Sequence, residues 1–125
     1  MNSQKPFILL VEDDANLRSM ITRGLQASGY TVLAAGSFRE ALDAISIKPN
    51  LMILDINLPD ATGWDVADWL ESLTTPLPII VISGLTPDRK RLEQIKPKAF
   101  LRKPFSIGQL LALVQEYAPV SAASV

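Results

Sequence analysis

The sequence contains no cysteine and no histidine, and these two absences narrow the chemistry that it can support. Without cysteine there is neither a disulfide framework nor a thiolate metal site. Without histidine there is no imidazole to serve as metal ligand, general base or phosphoryl carrier. Any chemistry must therefore come from carboxylates, amines and hydroxyls.

The sequence also lacks a dominant charge and a long apolar run. Its 12 Lys and Arg are interspersed with 13 Asp and Glu, so no broad cationic surface for nucleic acid is expected. No stretch approaches the roughly 18 apolar residues of a membrane-spanning helix, and the first segment, MNSQKPFILLVEDD, is unlike a signal peptide. We expect a cytoplasmic protein that binds neither nucleic acid nor membrane directly.

What the sequence does contain is enough apolar material for one core. The 125 residues are 48% hydrophobic, which suits one globular domain and leaves no room for a second. We therefore expect a single domain over 1–125, with 119–125 as a flexible tail.

Short apolar segments alternate with segments of helical periodicity. The predicted strands cover 7–11, 31–35, 51–54, 78–82 and 99–102, and several are apolar throughout, as is typical of strands buried on both faces. The predicted helices cover 16–29, 37–47, 64–73, 86–95 and 106–117. This alternation predicts an α/β fold, a flavodoxin-like doubly wound parallel sheet of five strands in the order 2-1-3-4-5 with five helices.

Cap residues and apolar stripes support the helix assignments. Four residues are expected to cap helices: Asp14, Ser37 with Glu40 in a capping box, Thr86 followed by Pro87, and Ser106. The apolar stripe of the first helix is Leu17, Met20, Ile21 and Leu25, and that of the second is Phe38, Leu42 and Ile45. Gly29 is expected to end the first helix, and Asp60 is interpreted as a turn residue before Gly63.

Polar side chains follow four of the five predicted strands. They are Glu12, Asp13 and Asp14 after the first strand, Asp55 after the third, Ser83 after the fourth and Lys103 after the fifth. The carboxyl ends of parallel strands meet at one edge of the sheet, where such folds bind ligands. An ionised Asp55 at the end of an apolar strand is costly unless a partner pairs with it or coordinates it.

Clustered carboxylates need a cation. Mg²⁺ takes one or two carboxylates together with waters and phosphate oxygens, which favours Asp13 and Asp55 as direct ligands and Glu12 through a water. An Asp beside a divalent cation is also a nucleophile towards phosphorus. Lys103 and Ser83 would then face phosphoryl oxygens. Taken singly, Asp13 is more typical of a helix cap, Ser83 of a turn residue and Lys103 of a surface lysine, and only their convergence at one edge favours a site.

Four segments in this order resemble the receiver domains of two-component response regulators: ILLVEDD, LMILDINLPDATGWD, VISG and LRKPF. The resemblance covers about 6–118. It implies that Asp55 is phosphorylated by a partner histidine kinase or a histidine phosphotransfer protein. It also implies that Glu12 and Asp13 hold Mg²⁺ together with the backbone carbonyl of Asn57.

The resemblance implies further roles near the acceptor. Lys103 would contact the phosphoryl group, and its bond to Pro104 would be cis. Ser83 would move towards the phosphate, and Phe100 would follow it inward as a switch residue. Gly84 would leave the site open to a bulky donor.

The sequence therefore predicts a phosphoacceptor signalling module of a two-component or phosphorelay system that switches a surface for a downstream effector domain or protein. It is not expected to be an enzyme beyond promoting its own phosphoryl transfer and dephosphorylation. Leu85, two positions after Ser83, cannot orient a hydrolytic water, so slow self-hydrolysis is expected. One alternative is a pseudo-receiver that is never phosphorylated.

Two further alternatives are disfavoured. An aspartate-nucleophile phosphatase usually carries a second Asp two positions after the nucleophile, where this sequence has Asn57. A nucleotide or flavin binder is unsupported because neither G-x-G-x-x-G nor G-K-[ST] occurs.

Overall fold

A computed structural model of the chain describes residues 5–61, 63–73, 76–85 and 89–120. It contains a five-stranded parallel sheet in the order β2-β1-β3-β4-β5. The strands are β1 (Phe7–Val11), β2 (Thr31–Ala35), β3 (Leu51–Asp55), β4 (Ile79–Ser83) and β5 (Ala99–Arg102). The predicted fold and strand order are confirmed, and each strand lies within one residue of its predicted bounds.

Helices cover both faces of the sheet. They are α1 (Ala15–Ala27), α2 (Phe38–Ala44) with a 3₁₀ turn (Ile45–Ile47), α3 (Gly63–Glu71), α4 (Arg89–Ile95) and α5 (Ile107–Tyr117). One core cluster packs residues of α2, α3 and α4 against the sheet, and the other packs residues of α1 and α5. Among the described residues, no helix combines the length and the apolar character needed to cross a bilayer.

The central strands explain why polar groups are found at one edge of the sheet. Every residue of β3 and β4 is buried, and these two strands end on Asp55 and Ser83. Helices on both faces bury the apolar residues of each strand, so the polar side chain at its carboxyl end lies at the rim of the core. The sheet thus places a carboxylate and a hydroxyl on neighbouring strands.

The predicted caps of α1 and α5 are confirmed. The carboxylate of Asp14 accepts hydrogen bonds from the N–H groups of Asn16 and Leu17, and Ser106 forms a capping box with Gln109. Gly29 follows α1 with a φ of 97°, a conformation that glycine adopts without strain. The predicted cap of α4, Thr86 with Pro87, lies outside the described residues.

The predicted capping box of α2 is only half correct. The hydroxyl of Ser37 accepts a hydrogen bond from the N–H of Glu40 at 3.2 Å. The carboxylate of Glu40, however, accepts from the N–H of Gly36 at 2.7 Å instead of returning to Ser37. The side chain reaches one residue further back along the chain, where the N–H at the end of β2 also needs an acceptor.

The prediction that Met20 and Leu42 belong to the buried stripes of α1 and α2 is wrong. Met20 is 42% exposed and Leu42 is 37% exposed, so neither belongs to the core. On α2 the buried residues are Phe38, Ala41 and Ala44. Small alanines let the helix pack close to the sheet, and they give a weaker apolar signal than leucine.

Candidate functional site

Three carboxylates meet at the carboxyl ends of β1 and β3. One oxygen from each of Glu12, Asp13 and Asp55 lies within 4.8 Å of the others. The two strands are neighbours, with Val11 opposite Leu54, so the residues that follow these positions are brought side by side. Glu12 and Asp55 are 0% and 3% exposed, whereas Asp13 is open to solvent. The structure therefore brings the predicted acidic cluster together.

Lys103 extends from the end of β5 into this cluster. Its Nζ lies 2.7 Å from Glu12 Oε1 and 3.0 Å from Asp55 Oδ2. The main chain of Lys103 is fixed by its N–H, which donates to the carbonyl of Ser83 at 2.8 Å. The predicted cis bond between Lys103 and Pro104 is present.

The two buried carboxylates are held in the same way. Glu12 accepts a hydrogen bond on Oε2 from the N–H of Asp14 at 3.0 Å, and Asp55 accepts on Oδ1 from the N–H of Asn57 at 2.9 Å. In each case the other oxygen faces Lys103. Main-chain donors thus orient both carboxylates towards one position, which the Lys103 ammonium occupies.

Burial and charge act in opposite directions on the groups of this site. Burial raises the pKa of Glu12 above its ordinary value, against the Lys103 ammonium and the Asp14 N–H, which lower it. Partial burial alone would lower the pKa of Lys103, but the carboxylates of Glu12 and Asp55 outweigh it and the pKa is raised. Lys103 is therefore fully charged at neutral pH.

The charges do not balance. Three carboxylates against one ammonium leave a formal charge of −2 (−3 + 1). Oxygen ligands clustered around unbalanced negative charge are the donor set that a hard divalent cation such as Mg²⁺ prefers. The residues present thus fit a Mg²⁺ site, with one exposed carboxylate leaving access for water.

Ser83 lies beside the cluster with its hydroxyl fully hydrogen-bonded. Its Oγ accepts from Asn57 Nδ2 and from the N–H of Leu85, both at 3.1 Å, and donates to the carbonyl of Leu85 at 2.8 Å. The side chain is buried at the end of β4. The hydroxyl is therefore engaged with its own loop and with Asn57.

Phe100 and Gly84 complete the predicted set. Phe100 on β5 is 37% exposed, so its ring lies partly in solvent in this conformation. Gly84 is exposed, and a Cβ built there would meet no atom of the described residues within 4 Å, its chain neighbours aside. The surface beside Ser83 is accordingly open.

Arg18 on α1 belongs to the site although the sequence does not point to it. Its Nη1 donates to the main-chain carbonyls of Glu12 at 2.8 Å and Asp13 at 3.3 Å. The guanidinium thus supports the loop that carries two of the three carboxylates. The acceptors are carbonyls, which every residue has, so no residue pattern could have indicated this contact.

Asp60 lies in a turn after β3, as predicted, and its side chain makes a contact that the sequence did not predict. Its carboxylate accepts hydrogen bonds from the N–H groups of Phe38 and Arg39, both at 3.0 Å, at the start of α2. These two donors lower the pKa of Asp60 below its usual value. The side chain therefore joins the loop after β3 to a different helix.

Comparisons with known proteins agree with this geometry. The model of the response regulator receiver domain family matches residues 8–115. The chain is 37% identical over 108 residues to the response regulator MprA of Mycolicibacterium vanbaalenii, covering 84% of this chain and 47% of that protein. It is 34% identical over 111 residues to the transcriptional regulatory protein CusR of Escherichia coli, covering 86% and 49%. The chain thus spans about half the length of these relatives.

Solved structures show the same fold. The chemotaxis protein CheY4 of Vibrio cholerae superposes with a TM-score of 0.81 at 28% identity, over 91% of this chain and 99% of that one. The non-phosphorylated HemR receiver domain of Leptospira biflexa superposes with a TM-score of 0.82 at 28% identity, over 94% and 97%. With the family model matched along most of its length, the chain belongs to the response regulator receiver domain family.

Proposed function

We propose that this domain is a phosphoacceptor module of a two-component or phosphorelay system, and that Asp55 accepts a phosphoryl group from a partner histidine kinase or histidine phosphotransfer protein. The observation that carries this proposal is the placement of Asp55. It is a buried carboxylate 3.0 Å from the Lys103 ammonium, with two further carboxylates grouped around it. Membership of the receiver family supports the same assignment.

Mg²⁺ would be held by Glu12, Asp13 and Asp55, with the backbone carbonyl of Asn57 as a further ligand. The support for this set is its chemistry, since all the donors are oxygens and the cluster carries excess negative charge. When bound, Mg²⁺ neutralises charge on the carboxylates and on phosphoryl oxygens.

The transfer step requires little covalent chemistry from the protein. One carboxylate oxygen of Asp55 forms a bond to phosphorus while the phosphorus–nitrogen bond of the phosphohistidine breaks, and the electron pair of that bond stays on the imidazole nitrogen. Lys103 then pairs with oxygens of the acyl phosphate. Its ammonium already lies against the acceptor carboxylate, so little reorganisation is needed.

Phosphorylation would act on a two-state switch. In this proposal the hydroxyl of Ser83 leaves its bonds to Asn57 and Leu85 and turns to the phosphate, and Phe100 moves inward from its partly exposed position. The surface around α4 and β5 changes as a result and is read by a downstream effector domain or protein. The domain promotes its own phosphorylation and dephosphorylation but turns over no other substrate.

The test is the intact mass after incubation with acetyl phosphate and Mg²⁺, with wild type and Asp55→Asn in parallel. We expect wild type to gain one phosphoryl group and the variant to gain none. Equal gain in both proteins would refute Asp55 as the acceptor. No gain in either would favour a pseudo-receiver, which binds its partners without being phosphorylated.

A further inference from the structure

The loop that follows β3 is attached to the protein at several points. It begins at Asp55 in the sheet, buries the side chains of Ile56 and Leu58, and closes with an isolated antiparallel bridge between Leu58 and Ala61. Asp60, inside this closure, reaches across to α2. Residues 55–60 form the acceptor loop.

We propose that Asp60 is a positioning residue for the acceptor loop, fixing the backbone of Asn57 relative to Asp55 by tying the loop to the first turn of α2. This inference rests on the proposed phosphoacceptor and Mg²⁺ function, because the carbonyl of Asn57 is a ligand only in that proposal. Asp60 itself touches neither metal nor phosphate.

A main-chain ligand can be positioned only through the residues on either side of it. Upstream of Asn57, the chain is fixed by β3 and by the bond from the Asn57 N–H to Asp55 Oδ1. Downstream, Pro59 restricts the backbone and the carboxylate of Asp60 holds two N–H groups at 3.0 Å. The Asn57 carbonyl thus lies between two anchored segments. Downstream, the Leu58–Ala61 bridge closes the turn, and Asp60 ties this turn to α2.

The contact of Asp60 with the first turn of α2 does more than cap that helix. Ser37 already provides α2 with a local cap through its hydroxyl, which accepts from the N–H of Glu40. The N–H groups of Phe38 and Arg39 face Asp60, whose sequence separation from them is 22 and 21 residues. A charged acceptor with two donors also makes stronger hydrogen bonds than a neutral one.

Ser37 therefore provides a matched control. Ser37→Ala removes a cap from the same helix turn and leaves the acceptor loop attached, whereas Asp60→Ala removes a cap and releases the loop. Asp60→Asn keeps one side-chain oxygen and should give an intermediate result. If Asp60→Ala fails to fold, Asp60→Asn takes its place in the comparison with Ser37→Ala.

The first readout is the Mg²⁺ dissociation constant, measured by calorimetry on all four proteins. We expect Asp60→Ala to weaken binding about tenfold, in line with the loss of other groups that orient metal ligands, and Asp60→Asn to weaken it less. Ser37→Ala should bind Mg²⁺ like wild type although its unfolding free energy falls. Equal Mg²⁺ affinity in Asp60→Ala and wild type would overturn the inference.

A second readout does not need the metal. Hydrogen exchange at the amide of Asn57 reports its bond to Asp55, and it should become faster in Asp60→Ala but not in Ser37→Ala. Unchanged exchange in Asp60→Ala would overturn the positioning role. Failure of wild type to bind Mg²⁺ or to be phosphorylated would instead refute the proposed function, so the two failures are distinguishable.

Discussion

Lys103 is the residue on which the two buried carboxylates depend when no metal is bound. Its Nζ contacts both Glu12 and Asp55, and both carboxylates are almost fully buried. Removing one partner of a buried ion pair leaves an uncompensated charge, which costs more than the net contribution of the intact pair. Lys103 thus supplies the ammonium that pairs with both carboxylates, and its removal should have a measurable consequence.

We expect Lys103→Gln to lower the free energy of unfolding by about 1–3 kcal/mol without metal, a value below that of a fully buried pair because Lys103 is partly exposed. Saturating Mg²⁺ should restore part of the loss, since it supplies positive charge to the same carboxylates. Urea unfolding with and without MgCl₂ measures both effects. Lys98→Gln, at an exposed lysine before β5, is the control. Equal losses in the two variants would contradict this role.

Asp60 gives a pH dependence whose sign follows from its lowered pKa. A carboxyl group with a lower pKa in the folded state stabilises the protein above its unfolded pKa, and this contribution is lost as the pH falls through the folded value. The difference in unfolding free energy between wild type and Asp60→Asn should therefore be largest near about pH 7 and smaller near about pH 3, below the ordinary pKa of the group. Urea unfolding at both pH values measures it. A difference that grows on acidification would contradict the assignment.

We expect the side chain at position 85 to affect the lifetime of the phosphorylated state. Its side chain is 66% exposed and offers no hydrogen bond to an attacking water. If Asp55 is phosphorylated as proposed, Leu85→Asn should shorten the lifetime of the acyl phosphate by up to about tenfold, because an amide can orient that water. Loss of phosphate followed by intact mass measures this lifetime. A variant that loses phosphate no faster than wild type would show that residue 85 does not limit hydrolysis.

At the scale of elements, α1 and α5 approach each other closely at Gly24. A Cβ at this position would lie 2.8 Å from Ile107 Cγ1, whereas for a Cβ at Gly108 the nearest atom among the described residues would be Ser106 Oγ at 3.9 Å. Both glycines lie in helices, where alanine is intrinsically favoured by about 1 kcal/mol. The two positions therefore separate helix propensity from packing.

We expect Gly24→Ala to destabilise the protein by about 0.5–2 kcal/mol, because overpacking between the helices outweighs the propensity gain. Gly108→Ala should instead stabilise it by up to about 1 kcal/mol. Thermal or urea unfolding of the two variants decides between these effects. Equal stabilisation by both substitutions would show that Ile107 moves aside at no cost.

Elements differ in how well the sequence predicts them. The strands were predicted to within one residue, and for β1, β3 and β4 the reason is that buried parallel strands are continuous apolar runs. The buried face of α2 was predicted less well, since Ala41 and Ala44 carry little apolar signal and Leu42 carries a misleading one. The clustering of Glu12, Asp13, Asp55 and Lys103 was predicted correctly because the carboxyl ends of parallel strands meet at one edge of the sheet.

Other features of the site leave no trace in the sequence. Asp60 and Arg18 bind main-chain groups, in the case of Asp60 more than 20 residues away, and main-chain donors and acceptors occur at every position. The partners of the Ser83 hydroxyl depend on the side-chain rotamer. The assigned roles of the site residues in phosphorylation and metal binding stay predictions.

At the scale of the whole molecule, metal binding should be visible as stability. A ligand that binds only the folded state stabilises it by about 2.7 kcal/mol at 100 times its dissociation constant. We expect this gain for wild type with Mg²⁺, and a much smaller one for Asp13→Asn, which removes one carboxylate of the cluster. Without metal, Asp13→Asn should be the more stable protein because repulsion falls. Asp43→Asn, at an exposed residue of α2, should behave like wild type.

The three hydrogen bonds of the Ser83 hydroxyl determine how often the proposed switch occurs without phosphorylation. At about 1 kcal/mol net for each bond, turning this hydroxyl away without a phosphate to receive it costs up to about 3 kcal/mol. At that upper limit, Boltzmann weighting leaves fewer than about one molecule in a hundred in the switched state without phosphate. A cell could then keep many unphosphorylated copies of such a domain with little false output. The reliability of the signal would depend on the hydrogen bonds that one small loop makes to the Ser83 hydroxyl.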